Sequence, residues 1–328
     1  MNNRGLLDLI ISLLPRIRLS SKISLLQAFD SEEQLFVQSK KDIESIIDCQ
    51  LTNFWDIGEV QEKAGQIDTI CRMRGIKWVS WTDSDYPPLL REMYDPPSVI
   101  YYKGVLPNPE KSLLGMVGTR KPSREAAEQA YKIAGNLGKA GISVISGLAH
   151  GIDAMSHRGN LICSVPGYAV LGSGIDEIYP ADNKPLAKRI LDSGGAIISE
   201  YPPGVHPTKW TFPARNRIIA AFSRSVLIVE APLKSGALIT ASFALEQGKD
   251  LWVASSGICS GDNNGQLRSD KRGTIKLVSE GAELIYSACD VLEKWNIREN
   301  KPAVKNSGLT MGSNREEMIS SMAEFLKI

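Results

Sequence analysis

The feature that most constrains the fold is a strand–turn–helix pattern that recurs from Ser112 onward. Short apolar runs alternate with longer segments in which apolar residues recur at helical spacing. Strands that alternate with helices predict a parallel sheet, because helices usually connect parallel strands. The runs are apolar throughout, which indicates strands that are covered on both faces. The pattern therefore predicts an α/β fold with a doubly wound, mostly parallel sheet.

The predicted elements of this sheet follow from the apolar runs and their periodicity. The predicted strands span 113–117, 142–145, 168–171, 196–198, 226–229 and 251–254, and the main predicted helices span 124–137, 185–191 and 237–247. The last clear elements are 275–279 and 284–285. The polar, glycine-rich segment 257–273 predicts a mobile loop, and the tail predicts one short helix near 316–326.

The segment before the sheet has a different pattern. Residues 1–75 carry apolar residues at helical spacing and predict short helices with N-caps at Ser20, Asp30 and Ser39. The last of these predicted helices lies between residues 51 and 74. Residues 76–110 contain two short strands, 76–81 and 99–102, and two Pro-Pro pairs. We interpret this stretch as a linker that packs on the edge of the sheet.

Composition limits the classes of function. The 328 residues carry a formal net charge of +1, so any nucleic-acid site must be a local patch. Five cysteines without a C-x-x-C pair fit reduced thiols better than a disulfide framework or a zinc site. The sequence contains no apolar run long enough to span a bilayer, and its N-terminal apolar run resembles an amphipathic helix more than a signal peptide. We therefore expect a cytoplasmic protein without membrane contact.

A basic and aromatic stretch from Thr208 to Lys234 indicates where a ligand binds. It contains one acid, Glu230, against the five cations Lys209, Arg215, Arg217, Arg224 and Lys234, and it contains the aromatic residues Trp210, Phe212 and Phe222. Cations that alternate with aromatic rings suit single-stranded nucleic acid, because cations bind phosphates and rings stack on bases. The alternative is a solvated basic face beside a packed helix. A strand at 226–229 and a helix opening at Ser235 favour a ligand site at a strand end.

Small residues follow several of the predicted strands. They are Gly118-Thr119-Arg120, Ser146-Gly147 with Gly151, and Gly172-Ser173-Gly174. Glycine lets backbone N–H groups approach a phosphate, and a following helix adds its positive end. The same glycines could serve only the geometry of the turns. Neither a G-x-x-x-x-G-K-[ST] loop nor a G-x-G-x-x-G fingerprint occurs, which argues against ATP hydrolysis and against dinucleotide chemistry.

A catalytic alternative rests on Ser146, His150, Asp153 and His157. They could form a nucleophile and a base, but the sequence has no G-x-S-x-G elbow, and Asp153 could simply cap the local backbone. Two histidines with few other ligand candidates nearby make a poor metal site. The adjacent residues Asp176 and Glu177 would point apart and would make a poor acid–base pair. We therefore predict no catalytic residue and no metal site.

Several long segments, taken in order, resemble the DprA/Smf family, DNA-processing protein A. They are MVGTRKPS (116–123), VISGLAHGIDAMSHRGN (144–160), AVLGSGIDEIYPADN (169–183), IISEYPPG (197–204), FPARNRIIAAFS (212–223) and EAPLKSGALITASFALEQGKD (230–250). The upstream segment DYPPLLREMYDPPSVIYYKG (85–104) also resembles this family. The resemblance covers about 112–290 and implies a Rossmann-like fold.

The resemblance implies a domain organisation as well as a fold. It implies a small helical, SAM-like domain at 1–75, a linker and edge segment at 76–110, and a Rossmann-like DNA-binding domain at 111–290. Many members end in a winged helix, whereas the tail at 291–328 is too short and too weakly patterned for a full one.

The resemblance also implies a function. Members bind single-stranded DNA, protect it during natural transformation and load a RecA-type recombinase onto it. They work as homodimers and are not known as enzymes, and no cofactor is implied. The DNA-binding positions carried over to this sequence are Arg120, Ser146, Gly147, Lys209, Phe212, Arg215 and Asn216, and Lys234, Ser235 and Gly236 are predicted to line the same edge.

Two alternatives from other classes remain at this stage. One is a nucleotide phosphoribohydrolase of the LOG type, which shares this kind of domain but uses a P-G-G-x-G-T loop that is absent here. The other is a nucleotide-sensing module that signals through the helical N-terminal segment.

Overall fold

The structure is a computed structural model that describes residues 4–51, 56–258 and 270–297 of the chain. Its centre is a sheet of nine strands within the described residues, in the spatial order β1-β2-β6-β5-β4-β3-β7-β8-β9. The strands are β1 (Lys77–Ser80), β2 (Val99–Gly104), β3 (Leu113–Val117), β4 (Ser143–Ser146), β5 (Tyr168–Val170), β6 (Ala196–Ser199), β7 (Ser225–Ile228), β8 (Asp250–Ala254) and β9 (Glu283–Ile285).

The sheet is parallel from β6 through β9, and β1 and β2 extend it antiparallel at one edge. The chain builds outward from β3 to β6 on one side, then returns to place β7, β8 and β9 on the other side. Reversal of strand order beside β3 creates a crevice at the carboxyl ends of the neighbouring strands. The predicted Rossmann-like, doubly wound and mostly parallel sheet is confirmed.

Helices cover both faces of the sheet. In the part of the chain that the structure describes they are α1 (Leu7–Leu13), α2 (Leu19–Ala28), α3 (Glu32–Phe36), α4 (Lys40–Ile47), α5 (Ile57–Met73), α6 (Pro88–Arg91), α7 (Arg124–Lys139), α8 (Ile152–Asn160), α9 (Lys184–Asp192), α10 (Thr211–Phe222), α11 (Gly236–Glu246), α12 (Arg272–Ser279) and α13 (Ala288–Lys294). No helix among these is both long and apolar enough to cross a bilayer.

Adjacent residues of one strand point into different cores. Leu113 belongs to the cluster that contains Ile218 of α10, whereas Leu114 belongs to the cluster that contains Ile133 of α7. This alternation follows from the two-residue period of a strand. Since both faces are buried, strands in this sheet read as continuous apolar runs, as the sequence predicted.

The N-terminal helices pack against the sheet and do not form a separate apolar core. Leu9 and Ile10 of α1 share one buried cluster with Tyr101 of β2 and Ile197 of β6. Asp8 also accepts a hydrogen bond from the Ser80 hydroxyl group at the end of β1. These contacts fasten the helical segment to the edge strands.

Some predicted helix boundaries are wrong. Ser39 caps α4 in a capping box with Asp42, as predicted, but α2 begins after Arg18 and α3 after Ser31. Ser31 accepts a hydrogen bond from the Gln34 N–H, which Asp30 one position earlier cannot do in the same geometry.

Two other predictions about segments also differ from the structure. The helix predicted from residue 51 begins at Ile57, after the cap residue Asp56. Arg272 and Gly273, predicted in the loop, form the first turn of α12, because the N–H groups of Gly273 and Thr274 both donate to the Ala231 carbonyl oxygen. Most of that predicted loop (259–269) and the predicted helix at 316–326 lie outside the described residues.

Candidate nucleic-acid interface

A cleft of about 870 Å³ opens at the carboxyl ends of β3, β4 and β7. Five segments form its walls: the turn after β3, the start of α8, the loop after β5 that contains Tyr179, the approach to α10 together with its first turns, and the turn from β7 into α11. This is the edge at which the strand order reverses, where open α/β sheets bind ligands.

The structure brings most of the predicted site residues together here. Eight of the ten line the cleft, namely Arg120, Lys209, Phe212, Arg215, Asn216, Lys234, Ser235 and Gly236. Ser146 and Gly147 do not line it. Ser146 has no exposed surface, and its hydroxyl group donates to the Met116 carbonyl oxygen at 2.5 Å. It therefore joins β4 to β3 inside the sheet.

Exposed cations give the cleft its charge. Arg120, Lys121, Lys209 and Lys234 are exposed at its walls, and the one carboxylate among its described lining residues is the buried Asp153. A concave surface with one sign of charge attracts polyanions. The sequence analysis missed Lys121, although its position next to Arg120 was a usable signal.

The basic stretch does not form one face. Arg217 is buried, and its Nη2 donates to Glu200 Oε1 at 2.8 Å, on the other side of α10 from the cleft. Arg224 lies at the opposite end of the sheet, where its guanidinium group sits 5.1 Å from the Trp295 ring centroid. Two residues of a helix that are two positions apart do not share a face, so Arg215 and Arg217 lie on different sides of α10. Neither Arg217 nor Arg224 lines the cleft.

Arg215 lies in the wall of the cleft but is buried, and two of its nitrogen atoms donate to the protein. Nη1 donates to the Gly147 carbonyl oxygen at 2.8 Å and also to the Val170 carbonyl oxygen. Nε donates to Asn216 Oδ1 at 2.9 Å. Burial lowers the pKa of Arg215 to about 10, so the group remains charged at neutral pH. Arg215 thus fixes the turn after β4 to the end of β5.

Asp153 supports the same turn. We call Arg215, Asp153 and the turn after β4 the floor of the cleft. Its Oδ2 accepts hydrogen bonds from the N–H groups of Gly147 at 3.1 Å and Ala149 at 3.4 Å. Burial raises the pKa of Asp153, and the nearby Arg215 opposes that shift. The predicted contacts of Arg215 and Gly147 with DNA stay predictions, whereas the structure shows both residues supporting the floor.

Two glycines behind the cleft wall are needed because chain segments approach closely there. A Cβ on Gly147 would lie 2.2 Å from Arg215 Nη2, and a Cβ on Gly172 would lie 2.9 Å from Phe212 Cδ1. A side chain at either position would displace the residue that packs on it.

Several N–H groups of the glycine-rich turns bind within the protein. The Thr119 N–H donates to the Glu230 carbonyl oxygen at 2.7 Å, the Gly147 N–H to Asp153, and the Gly174 N–H to the Val205 carbonyl oxygen at 2.6 Å. These groups cannot hold a phosphate without losing those bonds. In these turns, the glycines fit the interpretation that they serve the geometry of the turn better than the interpretation that their N–H groups bind a phosphate.

An aromatic pair forms part of the wall. Phe212 is partly buried, and its ring centroid lies 5.4 Å from that of Tyr179 at an interplanar angle of 47°. The guanidinium carbon of Arg120 lies 5.3 Å from the same Phe212 centroid. The sequence analysis missed Tyr179, which is 43% exposed. Its pairing with Phe212 arises from a tertiary contact.

The start of α11 supplies the remaining wall. Ser235 caps the helix by accepting a hydrogen bond from the Ala237 N–H at 3.2 Å. Asn216 donates to the Gly236 carbonyl oxygen at 3.1 Å and so joins α10 to α11. The positive end of the α11 dipole therefore faces the cleft beside Lys234.

The catalytic alternative does not assemble. His157 is fully buried, burial lowers its pKa to about 3, and neither of its ring nitrogens hydrogen-bonds to any described residue. His150 lies on the surface, with Nε2 3.9 Å from Asp182 Oδ2. The Ser146 hydroxyl group lies close to Asp153, but it is fully buried and donates to a carbonyl oxygen, and Asp153 caps backbone N–H groups. Both groups therefore serve the local structure in the described residues.

Other carboxylates have local partners. Asp176 accepts from Arg74 at 2.6 Å, and Glu177 Oε2 lies 2.8 Å from His206 Nδ1, so the two acids point to different neighbours. Within the described ranges, no group of three or more His, Cys, Asp or Glu side chains could hold a metal ion.

Comparison with known proteins identifies the family. The profile of DNA recombination-mediator protein A matches residues 77–296. The chain belongs to this family. A protein Smf from Synechocystis is 44% identical over 214 residues, which are 64% of this chain and 52% of that protein. The DNA processing protein DprA of Bacillus subtilis is 34% identical over 251 residues, which are 75% of this chain and 82% of that protein.

Two solved structures of the family resemble the fold. DprA from Streptococcus pneumoniae matches with a TM-score of 0.69 and 31% identity over 88% of this chain and 98% of that one. DprA from Helicobacter pylori matches with a TM-score of 0.57 and 26% identity over 67% of this chain and 96% of that one. The second structure is described as showing the single-stranded DNA binding mode of that protein.

Proposed function

We propose that the protein binds single-stranded DNA in the cleft and has no enzymatic activity. The observation that carries this proposal is the set of exposed cations Arg120, Lys121, Lys209 and Lys234 around the aromatic pair Phe212 and Tyr179. Phosphates would bind the cations, and a base would stack against the aromatic wall. The relative from Helicobacter pylori, whose structure is described as binding single-stranded DNA, supports the same ligand.

Each predicted site residue has a place in this proposal. Lys209, Lys234 and Arg120 hold phosphates, and Ser235 and Gly236 offer the start of α11 to another. Phe212 stacks on a base. Ser146, Gly147, Arg215 and Asn216 keep the floor in place beneath the strand, and their predicted contacts with DNA stay predictions.

The wider role that we propose is DNA uptake and recombination. The protein would protect incoming single strands during natural transformation and load a RecA-type recombinase onto them as a cytoplasmic homodimer. Its domains would be the helical segment 1–75, the linker and edge 76–110, the DNA-binding domain 111–290 and a short tail 291–328. Membership of the DNA recombination-mediator family supports this role.

Fluorescence anisotropy with labelled ligands tests the central claim. Single-stranded oligonucleotides of different sequence should bind with similar affinity, more tightly than the matching duplex and much more tightly than a mononucleotide. Affinity should fall as salt rises, because binding displaces counterions from phosphates. Preference for a mononucleotide would favour the nucleotide-sensing alternative, and affinity that ignores salt would contradict the role of the cations.

An activity screen tests the second part of the claim. The protein should release neither phosphate from ATP, nor fragments from DNA, nor free base from nucleoside monophosphates. Sustained turnover that co-purifies with the wild-type protein and is lost in Arg120→Ala would show that the cleft is an active site.

A further inference from the structure

Trp210 is a large apolar side chain left at the surface beside the cleft. Its exposed fraction is 73%, whereas Trp252 and Trp295 are buried, and Trp78 and Trp81 are partly buried. Single exposed apolar residues are common, so exposure alone assigns nothing. What distinguishes Trp210 is how it is held and what surrounds it.

The backbone of Trp210 is held by hydrogen bonds, although its ring is exposed. Thr208 Oγ1 accepts hydrogen bonds from the N–H groups of Trp210 and Thr211, both at 3.3 Å. Thr211 Oγ1 accepts from the Thr208 N–H at 2.9 Å and donates to the Thr208 carbonyl oxygen at 3.0 Å. Trp210 then begins α10 as its N-cap residue. The indole is thus presented from a rigid turn.

The surroundings of the ring have the chemistry of a nucleic-acid contact. Lys209 Nζ lies over the indole, 4.9 Å from its centroid. Thr208, Lys209 and Phe212 all line the cleft, whereas Trp210 between them does not. The ring therefore lies beside a residue of the cleft wall, and that residue is the cation that binds a phosphate in the proposed function.

We propose that Trp210 is a second stacking platform, which takes a base of the same DNA strand just outside the cleft. Lys209 binds the phosphate between that nucleotide and the one beside Phe212. The inference rests on the proposed function and deepens it, since it extends the bound strand beyond the cleft. Indole offers a flat π surface to any base, so this contact is sequence-tolerant.

A protein partner is the competing explanation for an exposed tryptophan. The cation over the ring and the basic cleft wall beside it favour a polyanion, because both would be desolvated against an apolar protein surface. The experiment must still be able to detect the alternative, in which Trp210 binds a second copy of this chain or a recombinase.

The test compares Trp210→Ala, Trp210→Phe and the control Tyr94→Ala on oligothymidylate and on a strand of equal length with abasic positions. Tyr94 is fully exposed (101%) and does not line the cleft, so the control removes an exposed ring elsewhere. We expect Trp210→Ala to weaken binding to oligothymidylate on the order of tenfold. Trp210→Phe should recover most of the loss, and Tyr94→Ala should change nothing. On the abasic strand, Trp210→Ala and wild type should bind equally.

Fluorescence gives a second readout that a structural role would not change. Oligothymidylate should quench the wild-type tryptophan emission, and Trp210→Phe should lose that quenching while retaining affinity. Unchanged affinity in Trp210→Ala, together with weakened binding in Lys209→Ala, would overturn this inference and leave the proposed function intact. Loss of self-association or recombinase binding in Trp210→Ala without loss of DNA binding would also overturn it. If wild type binds no single strand, the proposed function itself fails.

Discussion

Arg120 lies over the ring of Phe212, with its guanidinium carbon 5.3 Å from the ring centroid. The cation and the ring come from different segments of the cleft wall, the turn after β3 and the first turn of α10. A phosphate that binds Arg120 and a base that stacks on Phe212 would therefore both lie against this pair of side chains. The two residues can still be separated experimentally, because only one of them carries charge.

The salt dependence of binding should report the cations one at a time. Arg120→Ala and Lys209→Ala should each lower the slope of log affinity against log salt by about one unit, since one fewer phosphate contact displaces counterions. Lys132→Ala is the control, because Lys132 is an exposed cation on α7 away from the cleft. It should keep the wild-type slope. Unchanged slopes in both cleft variants would place the DNA elsewhere.

Removal of the Phe212 ring should weaken DNA binding without altering its salt dependence. Phe212→Leu keeps an apolar side chain against Gly172 but loses the aromatic face. Binding to oligothymidylate should weaken by about 1–3 kcal/mol with the slope nearly unchanged. Melting temperature should stay close to that of wild type in Phe212→Leu and fall in Phe212→Ala. Full affinity in a folded Phe212→Leu variant would remove the stacking role.

Of two glycines of the predicted site, only one should lose stability when it is replaced by alanine. In Gly147→Ala the new methyl group would meet the buried Arg215 guanidinium group, so the variant should lose about 1–3 kcal/mol of unfolding free energy. In Gly236→Ala the methyl group meets no atom within 4 Å, so stability should stay within about 0.5 kcal/mol of wild type. Chemical denaturation measures both. Equal stabilities would show that Arg215 can move without cost.

A weaker affinity of the stable Gly236→Ala variant for single-stranded DNA would support close approach of the strand to the start of α11. Unchanged affinity would instead remove Gly236 from the interface. Because the variant keeps its stability, the affinity change can be read directly.

Stability should fall in mild acid because of the buried His157. Burial lowers its pKa from 6.5 to about 3, so between these values the unfolded chain binds more protons than the folded one. The contribution of neutral His157 to the free energy of unfolding is complete above pH 6.5 and is lost as pH falls toward 3. Between pH 7.5 and pH 5 it amounts to about 2 kcal/mol.

Other buried acids act in the opposite direction, so the measurement must be a difference. Burial raises the pKa of Asp153 and of Glu200. The contribution of such groups to the stability of the protein falls as pH rises through the acid range. Urea unfolding of wild type and of His157→Leu at each pH isolates the histidine. The variant should lose less stability than wild type on acidification. Parallel curves would mean that His157 is charged in the folded protein.

The sequence predicted the sheet well because a buried strand and an amphipathic helix have different apolar periods. The adjacent apolar residues Leu113 and Leu114 point to opposite faces of the sheet. A continuous apolar run indicates a strand of this kind, which is buried on both faces. Helix starts were less predictable. Ser20 and Asp30 have the right chemistry for a cap, but α2 begins after Arg18 without a side-chain cap, and Ser31 caps α3 by accepting from the Gln34 N–H.

The site was predictable where its residues lie close to a strand end. Arg120 and Ser235 follow β3 and β7 closely, and parallel strands bring their carboxyl ends to one edge. The role of Arg215 was not predictable, because its acceptor, the Gly147 carbonyl oxygen, lies 68 positions away in the chain. The pairing of Tyr179 with Phe212 has the same origin.

The bonds from Arg215 to the carbonyl oxygens of Gly147 and Val170 have a consequence for the entropy of binding. They immobilise the floor of the cleft during folding, so an entering strand has little protein backbone left to order there. The conformational entropy that the protein loses on binding should therefore come mainly from its exposed side chains, Lys209 and Lys234 among them. Single-stranded DNA is a flexible polymer and loses much conformational entropy on binding. Because the floor is rigid, this loss should be larger than the conformational entropy that the protein loses.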